Sequence, residues 1–275
     1  MRSRRGLGIV LLVVLAAVGA CGRGDDRTPQ EIVFASAAAT EEAKSSKILM
    51  TVDVPKSDVT PATTITAEGA FDYETRSGRM VMQLPIPGGG EIEMVTRDDV
   101  VYMRMPPQMS AGFGGKPWVS IDLADAAAAS GGDLSAFGPV NGIDPTQALA
   151  QLRGVTDDVR AVGEETVRGT KTTKYRLTID LARVVEQAPE AQREMVRNAV
   201  EKLGSGAVPA EAWIDAEGRL RKFTQRTTID GIGETVVTME LFDFGTDVVV
   251  EAPPADQVAD LGPMLRQGAG ATPQN

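Results

Sequence analysis

Apolar and polar side chains alternate with a period of two over much of the chain. In residues 47–54, Ile48, Met50 and Val52 share one side of an extended strand, and Asp53 lies on the other. Such alternation is typical of a strand with one buried face, and short turns between strands favour an antiparallel meander. Further strands are predicted over residues 64–74, 79–84, 91–96, 100–105, 116–123, 155–163, 165–169, 171–180, 209–215, 219–229, 234–244 and 248–251.

Helix signals interrupt this strand pattern. Proline directly follows a capping residue at Thr28-Pro29 and at Asp144-Pro145, a pair that is typical of a helix start. A later apolar stripe has helical spacing and is broken or kinked at Pro189. Helices are therefore predicted over residues 29–44, 145–152 and 181–203, and a loop with a short helix, or a mobile flap, over 124–144.

The N-terminal segment has the organisation of an export signal. Arginines are followed by an uncharged, mostly apolar run that ends in Gly19-Ala20-Cys21. This run is too short to span a bilayer. Small residues directly before a cysteine resemble a lipobox, which implies cleavage before Cys21 and lipid on its thiol and on the new amino terminus. The alternative is an ordinary secretion signal with a chance cysteine. We expect a signal peptide over 1–20, a lipidated cysteine and tether over 21–28, one domain over 29–265 and a disordered tail over 266–275.

The expected mature chain is acidic. Removal of residues 1–20 would leave 25 basic against 38 acidic residues, a net charge of −13. Binding to nucleic acid or to anionic headgroups needs clustered lysine and arginine, so neither is an expected partner. Membrane attachment would then depend on the acyl chains at Cys21.

The chain contains no histidine. Its absence excludes Ser-His-Asp and Cys-His nucleophile systems and HExxH zinc sites. Carboxylate chemistry stays open, but acid pairs such as Glu164-Glu165 are adjacent on predicted strands, so their side chains point to opposite faces. We therefore expect no enzyme, no catalytic residues, no metal and no cofactor.

Three stretches resemble one protein family. They read KYRLTIDL at 174–181, VPAEAWID at 208–215 and FDFG at 242–245. Together with the lipobox, they are similar to actinobacterial lipoproteins of the LppX/LprG group, in the LolA-like superfamily. The resemblance implies an α+β, LolA-like half-barrel: one strongly curved antiparallel β-sheet with helices packed on its concave face around an apolar cavity. Proteins of this kind carry lipids, glycolipids or lipoproteins, and other members of the broader fold sense envelope stress.

Methionines are concentrated in the first strands. Seven of the eleven lie between Met50 and Met109. Methionine is unbranched and polarizable, so it suits a surface that accommodates a lipid tail of variable shape. The alternative is that these residues only fill an irregular core. The predicted cavity-lining residues are Ile48, Met50, Val52, Met80, Met82, Leu84, Met94, Tyr102, Met103 and Trp213.

A basic cluster lies on one predicted hairpin of this acidic chain. It consists of Arg219, Arg221, Lys222 and Arg226. These side chains have two interpretations: contact with a phosphate or sulfate headgroup, or an ordinary solvated strand face.

Together these features predict a lipid-anchored protein of the cell envelope. We expect it at the extracytoplasmic face of the cell membrane, where it binds a lipid, glycolipid or lipoprotein acyl chain for carrier or transfer work. An envelope transporter or another lipoprotein is a further expected partner. The alternative is a non-catalytic structural or sensory interaction lipoprotein without a ligand cavity.

Overall fold

The structure is a computed structural model. It describes residues 27–57, 61–84, 90–130, 145–156, 158–188, 190, 193–194, 197, 206–229 and 231–263. The predicted signal peptide, Cys21 and the predicted tail from residue 266 lie outside these residues. The helices described there are α1 (Pro29–Glu41), α2 (Pro107–Ser110), α3 (Leu123–Ser130), α4 (Pro145–Gln151) and α5 (Leu181–Gln187).

A single twelve-stranded sheet makes up most of the described chain. In spatial order the strands are β12-β6-β5-β4-β3-β2-β1-β11-β10-β9-β8-β7, and every neighbouring pair is antiparallel except β12 and β6. The strands are β1 (Ser45–Val54), β2 (Thr63–Asp72), β3 (Ser77–Gln83), β4 (Glu91–Arg97), β5 (Val100–Arg104), β6 (Trp118–Asp122), β7 (Arg160–Val167), β8 (Thr170–Asp180), β9 (Ala207–Asp215), β10 (Leu220–Ile229), β11 (Gly233–Phe242) and β12 (Val258–Asp260).

Local sequence explains the predicted starts and turns. At α1, the Thr28 backbone N–H donates to the Glu31 carboxylate over 2.6 Å, and Thr28 Oγ1 accepts from the Glu31 N–H. This capping box satisfies otherwise unpaired backbone groups. Between β4 and β5, Asp98 and Asp99 both have positive φ angles, of 53° and 59°. Two such residues match the right-handed twist of a hairpin.

One face of the sheet, which we call the inner face, carries the hydrophobic core. Val33 and Ala37 of α1, Leu149 of α4 and Leu181 of α5 pack with buried strand residues such as Ile179 in one continuous cluster. The helices therefore lie against this face, and the opposite face is called the outer face. The predicted fold class, a curved antiparallel sheet with helices on one face, is confirmed.

Three of the predicted strands differ from the structure. Residues 155–163 and 165–169 were expected as two strands, but β7 is one strand with a bulge between Ala161 and Gly163. Gly163 at this bulge has a φ of 144°. In the sequence, a glycine at this position suggests the end of one strand and the start of another. The segment 248–251 is extended but unpaired, and β12 completes the sheet instead. The Val250 carbonyl accepts a hydrogen bond from Arg97 Nη1 over 3.1 Å, which ties this segment to β4.

The predicted helical regions are described in part. α4 runs into a 3₁₀ turn at Leu152–Gly154, close to the predicted end. α3 covers the start of the predicted loop or flap, and residues 131–144 lie outside the described chain. α5 covers the start of the predicted helix over 181–203, most of whose remainder also lies outside. No helix in the described ranges is long and apolar enough to cross a membrane.

Candidate functional site

Apolar residues on seven neighbouring strands, six side chains and one glycine, form a row across the inner face. The pairing register places Ile48 opposite Gly69, Gly69 opposite Met80, and Met80 opposite Met94. Directly paired residues share a face, so these side chains lie next to one another. The full row is Leu241, Ile48, Gly69, Met80, Met94, Met103 and Val119.

Gly69 gives this row its close packing. A Cβ atom there would lie 2.7 Å from Met80 Cγ and 2.0 Å from the Arg79 carbonyl oxygen. The missing side chain leaves room for Met80 to lie across β2. A similar approach occurs at Gly78, where a Cβ would meet Phe71 Cδ2 at 2.6 Å. Glycine on one strand therefore makes space for a large side chain on the next.

The inner face becomes less buried toward one end. Met80 and Met94 are each 1% exposed. In the next row, Met50, Met82 and Ile92 are half-buried while Met239 and Ala67 remain buried. In the row after that, Val237, Val52 and Ile65 are all half-buried. We call this region the exposed end of the inner face, and it is lined by Met50, Val52, Ile65, Met82, Ile92 and Val237.

Most of the predicted cavity-lining residues come together. The seven that share the inner face are Ile48, Met50, Val52, Met80, Met82, Met94 and Met103. Leu84 follows β3 by one residue, and its backbone N–H donates to the Gly90 carbonyl.

Tyr102 and Trp213 lie on the outer face. Tyr102 pairs with Val95 and precedes Met103, and adjacent strand residues point to opposite faces. Trp213 lies between Ala212 and Ile214, both of which belong to the inner core. The structure therefore separates these two residues from the other predicted lining residues.

The sequence of this chain is similar to that of known lipoproteins. The sequence model of the LppX_LprAFG lipoprotein family matches residues 28–250. The chain belongs to this family. A 31.2 kDa uncharacterized protein from the rplA-rplJ intergenic region of Streptomyces griseus is 32% identical over 212 residues, which cover 74% of this chain and 68% of that protein.

Two solved structures are similar to this LppX_LprAFG lipoprotein. The crystal structure of LppX from Mycobacterium tuberculosis aligns with a TM-score of 0.50 at 15% identity, over 81% of this chain and 98% of that chain. The crystal structure of LprF from Mycobacterium bovis aligns with a TM-score of 0.46 at 19% identity, over 82% and 97%. The likeness to LppX shows a common fold.

The inner face of this chain includes residues that were not predicted from the sequence. They are Ile65, Phe71, Ile92, Phe223, Val237 and Met239. Each lies on a predicted strand whose alternation marks it as one of two faces. Ile92 has the same phase on β4 as the predicted residue Met94, so alternation alone could have identified it. For the other five, the phase that faces the core depends on how the strands pair.

Trp213 belongs to a polar cluster on the outer face. Its Nε1–H donates to Glu165 over 2.7 Å, and the Lys174 and Lys222 ammonium groups lie 4.7 and 4.8 Å from its ring centroid. The hydrogen bond from Trp213 is the main cause that lowers the pKa of Glu165; burial opposes it, and contacts with Lys174 and the charge of Lys222 add to the lowering. Cation–π contacts and this hydrogen bond explain why Trp213 is buried outside the core.

The three arginines of the basic hairpin pair with acids of their own chain. Arg219 and Arg221 each donate through Nε to Asp215, whose side chain is fully buried, and both guanidinium groups lie over Phe244. Arg226 pairs with Glu234 at 3.6 Å. These contacts support a structural interpretation of the cluster over a headgroup site.

Two clefts in the described chain lie on the outer face. One, of about 310 Å³, is lined by residues such as Asp53, Thr64 and Val236. The other, of about 200 Å³, lies between the β3–β6 region and the segment around Val250. None of the ten predicted lining residues contributes to either cleft. Within the described ranges, no group of three or more acidic or cysteine side chains is placed to hold a metal ion.

Proposed function

We propose that this lipoprotein binds the acyl chain of a lipid, a glycolipid or another lipoprotein along its inner face, for carrier or transfer work in the cell envelope. The observation that carries the proposal is the continuous apolar surface that ends in the half-buried residues Met50, Val52, Ile65 and Met82. Half-buried apolar side chains on one end of a core face are costly in water, so a hydrocarbon ligand would stabilise them.

The dimensions of this surface suit a hydrocarbon tail. The row Met239, Met50, Ala67, Met82 and Ile92 crosses five neighbouring strands. Four spacings of about 4.8 Å give about 19 Å of apolar path. One leaflet of a bilayer, half of a hydrocarbon core about 30 Å thick, requires about 15 Å. The path is therefore long enough for a membrane acyl chain.

The energetics favour transfer from a bilayer without a chemical step. Burial of a sixteen-carbon chain returns about 12 kcal/mol gross, at about 0.8 kcal/mol per methylene, before ordering costs. Because the chain is equally apolar in the membrane, the net driving force is small and the exchange is reversible. The flexible Met50 and Met82 side chains can adapt to tails of different shape.

Membrane attachment is part of the same proposal. The sequence of the N-terminal segment and the lipoprotein family both support acylation of Cys21 and a position on the extracytoplasmic face of the cell membrane. The membrane-anchored domain would exchange its lipid ligand with the membrane. An envelope transporter or another lipoprotein would receive or supply that ligand. No catalytic step is needed in this scheme.

A second candidate is a structural or sensory lipoprotein with a filled core. It is favoured by the near-complete burial of Met80 and Met94, each 1% exposed, and by the position of the two clefts on the outer face. In this case the methionines pack against the protein itself, and partners would bind elsewhere on the sheet.

Native mass spectrometry of the soluble protein from residue 22 onward separates these functions. The carrier predicts a stoichiometric adduct that organic solvent extracts, and uptake of a fluorescent fatty acid after delipidation. A clean apoprotein mass together with no uptake would contradict the carrier and support the filled core.

A pair of adjacent variants localises the ligand. Val52→Glu places a carboxylate on the exposed end, whereas Thr51→Glu places the same charge on the outer face between the neutral residues Thr66 and Thr238. Burial of an unpaired charge is costly, so Val52→Glu should reduce fatty-acid uptake by about tenfold or more and Thr51→Glu should not. Equal uptake by the two variants, with unchanged melting temperatures, would place the ligand elsewhere.

A further inference from the structure

Thr235 lies next to the exposed end of the inner face and carries a buried hydroxyl group. The residue is 6% exposed, and within the described ranges its Oγ1 atom has no hydrogen-bond partner. Nearly all buried polar side-chain atoms in proteins are hydrogen-bonded, so this hydroxyl lacks a hydrogen-bond partner that a ligand could supply.

The pairing register fixes the face on which Thr235 lies. On β11, Met239 pairs with Met50, and Val237 pairs with Val52. Thr235 is the next residue on the same side, since side chains alternate along a strand. It lies one row beyond Val237, at about 6.7 Å along the strand. Along β11 the apolar residues Met239 and Val237 are thus followed by a hydroxyl, about 13 Å from Met239. Thr227 opposite adds a second hydroxyl.

We propose that Thr235 is a ligand-binding residue that donates a hydrogen bond to the carbonyl oxygen joining an acyl chain to its headgroup. The hydrocarbon then lies along Met239, Met50 and Met82. This inference rests on the proposed function and makes it more specific: the ligand is an ester or an amide of a fatty acid. A glycerolipid supplies the ester, and an N-acylated protein supplies the amide.

The chemistry of the position supports this assignment. A threonine Oγ–H donates one hydrogen bond, and a carbonyl oxygen accepts it without carrying a charge into the apolar site. The next residue on the same face is Gly233, where β11 begins, so a headgroup beyond the carbonyl would pass the end of the sheet and enter water. The change from apolar to polar protein surface therefore follows the change from tail to headgroup.

Thr96 provides a matched control. It also lies on the inner face, opposite Gly78 and Val101, is 8% exposed and has an Oγ1 atom without a partner in the described chain. Thr96 lies on the other side of the Met80–Met94 row from Met82 and Ile92, so it is away from the exposed end. Thr96→Val and Thr235→Val remove the same group from two different places.

The test measures displacement of bound diphenylhexatriene, a hydrocarbon that forms no hydrogen bonds, from the delipidated soluble protein. Methyl palmitate, N-methylpalmitamide and heptadecane are the competitors. Thr235→Val should reduce the preference for a carbonyl-bearing competitor over heptadecane by about three- to tenfold, the effect of one neutral hydrogen bond. Thr235→Ser should restore it, and Thr96→Val should leave it unchanged. Preference for the ester would indicate a glycerolipid ligand, and preference for the amide would indicate an acylated protein.

Each outcome bears on the inference separately from the proposed function. Thr235→Val preserves shape and removes a hydroxyl that the protein leaves unpaired, so its melting temperature should be at least that of the wild type. An unchanged preference in Thr235→Val would overturn the role of Thr235 while hydrocarbon binding persists. Failure of the wild type to bind diphenylhexatriene or any competitor would overturn the proposed function as well.

Discussion

Asp215 is the residue whose loss should most clearly destabilise the outer face. Its carboxylate accepts four hydrogen bonds: from the Glu217 and Arg219 backbone N–H groups at 3.1 and 2.9 Å, and from Nε of Arg219 and Arg221 at 3.0 and 2.6 Å. These bonds close the β9–β10 turn and hold both guanidinium groups over Phe244. Asp215→Asn keeps the shape and removes the charge.

The expected loss of unfolding free energy in Asp215→Asn follows from those contacts. A hydrogen bond to a charged group contributes about 1 kcal/mol more than a neutral one, so two arginine contacts account for about 2 kcal/mol. Removing one partner of a fully buried ion pair costs about 3–5 kcal/mol. Arg219 and Arg221 keep side-chain exposures of 24% and 14%, so water partly compensates them. We expect a loss between about 2 and 4 kcal/mol of unfolding free energy.

Urea unfolding of the soluble protein at pH 7, followed by circular dichroism, measures this loss. Glu217→Gln is the control, because Glu217 accepts from the same Arg219 at 2.9 Å but is 63% exposed. An exposed ion pair contributes less than about 1 kcal/mol. Equal unfolding midpoints for the two variants would refute the reasoning.

The pH dependence gives an independent check. Burial raises the pKa of Asp215, but the hydrogen bonds from Arg219 and Arg221 and their positive charges outweigh burial and hold the pKa below its usual range. The stabilisation is therefore present above the ordinary aspartate pKa of about 3.9 and is lost as the pH falls through the lowered value. The difference between the wild type and Asp215→Asn should shrink in that acid range, and a constant difference would contradict the ionised state.

Two further changes test packing and anchoring. Gly69→Ala places a Cβ 2.0 Å from the Arg79 carbonyl oxygen and should lower the free energy of unfolding in urea by about 3 kcal/mol. Gly112→Ala is the control and should lower it little, because no atom lies within 4 Å of the added Cβ. Similar losses for the two variants would show that β2 and β3 separate easily. Cys21→Ser should abolish incorporation of labelled fatty acid and move the protein out of the detergent phase, and unchanged labelling would rule out acylation at this cysteine.

Much of the fold could be predicted from local pattern. Strands such as β1 and β8 agree with predicted boundaries within two residues, because alternation is a property of consecutive residues. The start of α1 was predictable for the same reason, since its capping box involves Thr28 and Glu31 alone. The β7 bulge and the unpaired segment before β12 were not, because both depend on which strand lies alongside.

The candidate site shows the same division. Met80, Met82 and Met94 were predictable as a group because they share one phase of alternation on neighbouring strands. Tyr102 and Trp213 were misplaced because being large and apolar indicates burial but not the face of the sheet. Trp213 is indeed buried, yet lysines and a glutamate cover it.

The sequence by itself determined the period of each element, the acidic character, the lack of histidine chemistry and the N-terminal signal, since these are properties of composition and of neighbouring residues. The tertiary structure decided the pairing of β1 with β11, across which Lys47 contacts Asp243, 196 residues later. Such pairing determines which phase of each alternation faces the helices. For that reason only the folded sheet brings Met239, Met50 and Met82 into one row and places Thr235 on the same face, two rows along β11.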